Sequence, residues 1–116
     1  MGPKRFIRVA RLGTAVPSPV RVASVREVPP GSGKVVVVQG HAVALFNVDG
    51  RFFAVSNTCL HRGGPVGEGE LSGTTVTCPW HGWEYDVRTG RNTTNPLACL
   101  RTFEVRLEGD EVLVGT

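Results

Sequence analysis

The chain has 116 residues, 41% of them hydrophobic and 20% charged, with a formal net charge of +3. That length suits one domain with its own core, and no stretch approaches the roughly eighteen consecutive apolar residues of a membrane span. The charge is lopsided: residues 1–34 hold seven Lys/Arg against the single Glu27, and the rest holds six against nine acidic residues, which leaves no basic stripe with interleaved aromatics for nucleic acid.

In chain order, residues 1–19 read as an extension closing on the linker Pro17-Ser18-Pro19. They lack a continuous apolar run with a small-residue cleavage site, and they carry no twin-arginine or myristoylation pattern. The expected location is the cytoplasm, where clustered cysteines mean metal more often than disulfide. From residue 20 the pattern is strand, turn, strand. "VRVASVREV" (20–28) alternates apolar and polar. "VVVVQGHAVALFNV" (35–48) reads as two strands hinged at Gln39-Gly40, and Asp49-Gly50 turns the chain into "RFFAVSN" (51–57). "WEYDV" (83–87) is followed by a turn at Thr89-Gly90 and an irregular run to Cys99. "LRTFEVRL" (100–107) and "EVLVG" (111–115) form a closing hairpin about Gly109-Asp110. No window sustains a 3.6-residue apolar period. Short strands with frequent glycine turns predict an all-β fold, an antiparallel sandwich or small barrel.

Three look-alikes are set aside. "GSGK" (31–34) has Val28 where a phosphate loop needs its first glycine and Val35 where it needs Ser/Thr. "NTT" (92–94) fits a glycosylation sequon but reads as polar loop in a chain without a secretory signal. "GEGELSG" (67–73) misses a dinucleotide fingerprint by one residue and has no helix after it.

The chemistry concentrates in "TCLHRGGPVGEGELSGTTVTCPWHGW" (58–83), which spends two of the three cysteines and two of the three histidines of the chain. If extended, Cys59 and His61 project to one face with Leu60 turned away. Cys78-Pro79-Trp80-His81 reads as a tight loop stiffened by its proline, and Gly63, Gly64, Gly67 and Gly82 allow φ > 0 and close backbone approach. Such a set admits tetrahedral zinc, a Cys–His nucleophile pair, or a [2Fe–2S] cluster with two thiolates on one iron and two imidazoles on the other. Each arm carries one Cys and one His, the pattern expected if each loop gives one ligand to each of two irons.

The string C-x-H-x16-C-x-x-H, set in "CLHRGG" (59–64) and "CPWHGWEYDVRTG" (78–90), closely resembles the Rieske [2Fe–2S] family, with likeness over about residues 20–115. The resemblance implies an antiparallel β-sandwich with a small cluster-binding subdomain, about 57–98, of two ligand loops. Cys59 and Cys78 would bind the inner iron, His61 and His81 the outer one, and the segment around Pro96 would match the family's proline loop over the cluster. Respiratory-chain members carry a further cysteine in each loop, where this chain has Gly64 and Trp80, and a serine where it has Trp83. Tyr85 falls where that branch has a tyrosine reaching a cysteine sulfur. The missing disulfide and hydroxyl are ferredoxin-like, and point to a potential on the order of −150 to −50 mV. Gly63, Gly64, Gly82, Trp83 and Tyr85 would tune the cluster. Cys99 is expected to be a small buried hydrophobe.

The implied function is one-electron transfer by a Rieske-type ferredoxin, from a reductase to an oxygenase or similar acceptor. Beyond the four ligands only His41 is left, too few for a second, two-His-one-carboxylate iron site, so an electron carrier is expected rather than an enzyme. It is expected to act as a monomer, without nucleic acid or membrane. Leu60, Arg62, Pro79, Trp80 and Pro96 would form the exposed docking rim, with Trp83 packed beneath the cluster. Two readings stand beside this one: the small subunit of an assimilatory nitrite reductase, and a structural zinc module serving as an interaction domain.

Overall fold

The computed structural model describes residues 19–115; the extension expected over 1–19 lies, Pro19 apart, outside the described residues. Nine strands follow in order: β1 (Val20–Ser24), β2 (Gly33–Val38), β3 (His41–Val48), β4 (Arg51–Ser56), β5 (Glu70–Ser72), β6 (Thr75–Thr77), β7 (Glu84–Asp86), β8 (Thr102–Glu108) and β9 (Glu111–Gly115). They form a six-stranded antiparallel sheet, β1-β9-β8-β4-β3-β2, and a three-stranded one, β5-β6-β7. The larger sheet curls until its edge strands β1 and β2 touch. Among the described residues no helix is long and apolar enough to cross a membrane.

Turn chemistry sets the registers. Gln39-Gly40 (φ 49° and 84°) and Asp49-Gly50 (φ 52° and 91°) both place two residues in the left-handed region, the signature of type I′ hairpins, whose twist matches the strands they join. Val38 thereby faces His41, and Val48 faces Arg51. Gly109 alone is left-handed in the β8–β9 turn (φ 60°), as a type II′ hairpin requires. The strand expected over 20–28 stops at Ser24: a bulge lies between Arg21 and Ala23, and Val25–Glu27 form a 3-10 turn. That bend lets Val28 drop fully into the core just before Pro29, where a pre-proline residue is driven out of helical conformation.

β3 explains how one sheet serves two cores. Alternate side chains leave a strand on opposite faces, and here both faces are covered. Val43 and Leu45 join Val36, Val38, Phe103, Val112 and Val114 inside the curled sheet. Ala44 and Phe46 point the other way, into a second core with Val55, Val66, Val76, Tyr85, Val87, Leu100 and the two cysteines Cys59 and Cys78. The small sheet is thus bolted to the large one through the group of residues that roots the ligand loops. β5 and β6 were not apparent in the sequence; each is three residues long, too short to show an alternation.

Candidate metal centre

Two six-residue loops share one frame. Loop 59–64 is closed at its base by the antiparallel bridge Thr58–Pro65, and loop 78–83 by the β6–β7 pair Thr77–Glu84. In each, the leading cysteine fastens the turn at both ends of its peptide. The Cys59 carbonyl accepts the Gly63 N–H at 2.8 Å and the Cys59 N–H donates to Gly64 O at 2.9 Å; the Cys78 carbonyl accepts Gly82 N–H at 3.2 Å and Cys78 N–H donates to Trp83 O at 2.7 Å. The fifth residue of each loop is a glycine at nearly the same left-handed angle, Gly63 at 76° and Gly82 at 75°. Such a turn needs that conformation, which a side chain resists. Cys59-Leu60-His61 is therefore not the extended segment expected from its spacing: the fourfold step from carbonyl to amide curls it. Asn57 ties the first loop to the large sheet, donating its N–H to Ala42 O and taking the Val66 and Gly67 N–H groups on its carbonyl and Oδ1.

Within this shared frame the histidines differ. His61, third in its loop, is half-buried and stacks on Trp83, ring centres 4.7 Å apart and planes 3° from parallel. His81, fourth in its loop, is exposed and sits at φ 69°, a conformation costly for a residue with a Cβ. The two imidazoles meet edge to face at 5.1 Å. The two thiols are both buried and close enough that each shifts the acidity of the other. Burial pushes Cys59 up, but the Tyr85 hydroxyl, the His61 N–H, the Cys78 thiol and the Arg62 N–H together bring it below the usual thiol range. Burial holds Cys78 above that range despite the Trp80 N–H, with Cys59 adding to the effect. Tyr85 is fully buried beneath the first loop. Its hydroxyl accepts the Leu60 N–H at 3.1 Å and lies 3.3 Å from Cys59 Sγ, which leaves its own proton free to point at the sulfur. Burial first, and that sulfur second, raise the phenol well above its ordinary pKa.

These donors suit a two-iron cluster better than one ion. Sulfurs pair with sulfur and imidazole with imidazole, and among the described residues no three His, Cys, Asp or Glu side chains gather as a single-ion site would need. His61 Nδ1 is buried with no hydrogen-bond partner, an electron pair available to a metal. The backbone N–H groups of His61 and Arg62 favour the thiolate of Cys59, and that of Trp80 the thiolate of Cys78, the form in which a cysteine binds a metal. Gly64 serves by closeness, since a Cβ there would lie 2.8 Å from Cys78 Sγ and 2.8 Å from Trp80 Cγ. Gly67 likewise leaves no room for a Cβ, at 2.7 Å from Val35 and 2.9 Å from Asn57 Oδ1.

The expected docking residues Leu60, Arg62, Pro79, Trp80 and Pro96 are all exposed, Leu60 and Trp80 at 51% each. Leu97, 93% exposed beside Pro96, was missed; an apolar residue after a proline on an irregular loop was the available signal. Trp83 is half-buried, packed against the second core and stacked on His61. Cys99 is exposed, not the buried hydrophobe expected. It sits on the returning arm of the Arg91–Cys99 bridge, with only Thr89 O and Leu100 O near its sulfur.

Comparison with known proteins identifies the family and the fold. The Rieske [2Fe-2S] domain family profile matches residues 18–104. The biphenyl dioxygenase ferredoxin subunit of Pseudomonas sp. (strain KKS102) is 41% identical over 96 residues, covering 81% of this chain and 88% of that protein. The ferredoxin of carbazole 1,9a-dioxygenase from Nocardioides aromaticivorans IC177 superposes with a TM-score of 0.80 at 31% identity, over 84% of this chain and 97% of that one. A chain in a complex of reduced oxygenase and oxidized ferredoxin in carbazole 1,9a-dioxygenase superposes at 0.77, also at 31% identity, over 84% and 92%.

Proposed function

This chain belongs to the Rieske [2Fe-2S] domain family, and we propose that it is the ferredoxin of an aromatic-ring oxygenase system, taking one electron at a time from a reductase and delivering it to the oxygenase. It is an electron carrier with a Rieske-type [2Fe–2S] cluster, not itself a catalyst. The relatives named above are ferredoxins of biphenyl and carbazole dioxygenases, and one solved relative is complexed with its oxygenase. Cys59 and Cys78 would hold the inner iron, His61 and His81 the outer. The observation that carries this assignment is the buried, unbonded His61 Nδ1 beside the paired thiols. Residues 20–116 form the cluster domain, with about 57–98 its binding part. We place the protein in the cytoplasm as a monomer; its three cysteines are free, which suits a reducing compartment.

When bound, the cluster supplies reversible one-electron chemistry at a formally neutral oxidised centre, the source of the high potentials of this ligand set. The protein supplies the rest. Loop amides and Tyr85 donate to cysteine sulfur and so favour the extra negative charge of the reduced state. His81, Leu60, Pro79, Trp80 and Leu97 bring an exposed, largely apolar rim around the imidazole edge, suited to a small, short-lived contact. Tyr85→Phe removes one sulfur hydrogen bond while keeping the buried ring. Its reduction potential, read by film voltammetry, should fall by about 40 mV, the equivalent of roughly 1 kcal/mol in a one-electron couple; an unchanged or higher value would remove Tyr85 from this role.

The function is tested by stopped-flow mixing of the dithionite-reduced protein with the oxidised oxygenase component of a biphenyl or carbazole dioxygenase. Reoxidation should be at least about tenfold faster than with oxygenase lacking its own iron–sulfur centre. Equal rates with both would refute delivery to such an acceptor.

A further inference from the structure

Between the second loop and the segment 92–95 lies an open cavity of about 280 Å³, walled by Trp83, Glu84, Asn92, Thr93, Thr94 and Asn95. Sites that enclose whole small molecules run from roughly 300 to 1,000 Å³; this one suits a single long side chain. Its far wall is fixed in place. Asn92 is buried, and its Oδ1 accepts the Thr94 and Asn95 N–H groups at 2.9 and 2.7 Å. The Asn92 N–H donates to Ala98 O, and the Thr93 N–H to Glu84 O. Against this scaffold stands the exposed Glu84. Among the described residues its carboxylate makes no ion pair, and only the Thr93 hydroxyl reaches it, at 3.4 Å.

A free carboxylate next to an indole selects its occupant. An anion would meet the charge of Glu84, and an apolar side chain would bury that carboxylate at a cost. A lysine ammonium offers a point charge but no plane. A guanidinium does both jobs, its fork accepted by a carboxylate and its face laid on an aromatic ring. The position matters too, because Trp83 is stacked on His61: an occupant against Trp83 is one ring from the imidazole.

We propose that this cavity is a socket for an arginine side chain of the redox partner, registering that partner beside the second ligand loop; this rests on the electron-carrier reading above. The test is calorimetric titration of the iron-loaded protein with N-acetyl-arginine amide, with the citrulline amide as a neutral probe of the same shape. The arginine compound should bind in the millimolar range expected of so small a ligand, and citrulline at least about tenfold more weakly. Glu84→Gln should weaken arginine binding by about tenfold, and Thr94→Arg, which fills the cavity from within, should abolish it. Equal binding of the two amides, or an unaltered Glu84→Gln, overturns the socket. Dithionite bleaching recorded on the same samples reports on the carrier reading separately: a red, reducible protein indifferent to arginine overturns the socket alone.

Discussion

Cys78→Ser should yield a colourless protein, its iron and sulfide falling from about two of each per chain to below about a tenth of that. A seryl oxygen is a harder donor than a thiolate and stays protonated at neutral pH. Nothing nearby substitutes, since the remaining cysteine, Cys99, lies exposed on the arm beyond Gly90. The fold should largely survive, because the core inside the curled sheet contains neither Cys59 nor Cys78. Far-ultraviolet dichroism should therefore match the parent while the visible spectrum is lost. Cys99→Ser is the control and should keep full colour. A Cys78→Ser protein with parental iron would place the ligands elsewhere.

The second large effect falls on a residue that touches no ligand. Gly90 is buried at φ 82°, and a Cβ there would lie 2.2 Å from Leu100 O and 3.1 Å from Leu100 C. Both offending atoms are backbone, and Leu100 is itself clasped to Gly90 by an N–H···O bond of 2.7 Å. Neither side can yield without opening the loop that runs past Asn92 and Pro96. Gly90→Ala should cost about 3 kcal/mol or more, a fall in Tm on the order of 15 °C for a domain of this size. Gly40→Ala is the comparison: its φ is 84°, yet a Cβ would meet nothing within 4 Å, so the cost should be about 1–2 kcal/mol from left-handed strain alone. Thermal melts that rank the two alike would show that close packing at Gly90 is not the source of its requirement.

Those two glycines illustrate what the sequence could and could not reveal. Gln39-Gly40, Asp49-Gly50 and Gly109-Asp110 are legible because a two-residue hairpin demands left-handed residues at fixed places. Gly64 and Gly90 depend on atoms far off in the chain, Cys78 Sγ and Leu100 O, which no local pattern contains. The candidate ligands Cys59, His61, Cys78 and His81 stand out for a similar reason: Cys and His at conspicuous spacing suggest a metal whatever the fold. The shape of the first loop was not. Two-residue alternation holds only for an extended chain, and the Cys59–Gly63 hydrogen bond curls this one. Cys99 was misjudged because cysteine's general preference for burial says nothing about a residue on a returning loop arm. β5 and β6 escaped notice because three residues are too few to show an alternation, and their regularity is supplied by pairing with each other and, for β6, with β7. Tyr85 was found through its likeness to a family position, and the structure adds why it must be tyrosine: one hydroxyl accepts from Leu60 and faces the Cys59 sulfur.

In the proposed centre thiolates and imidazoles are segregated, two to each iron, and electron–nuclear double resonance at nitrogen on the dithionite-reduced protein tests this most directly. The prediction is a rhombic signal with two strongly coupled, inequivalent nitrogens, one of them lost in His81→Cys. A reduced signal with no strong nitrogen coupling, or a pale protein holding zinc and no sulfide, would contradict it.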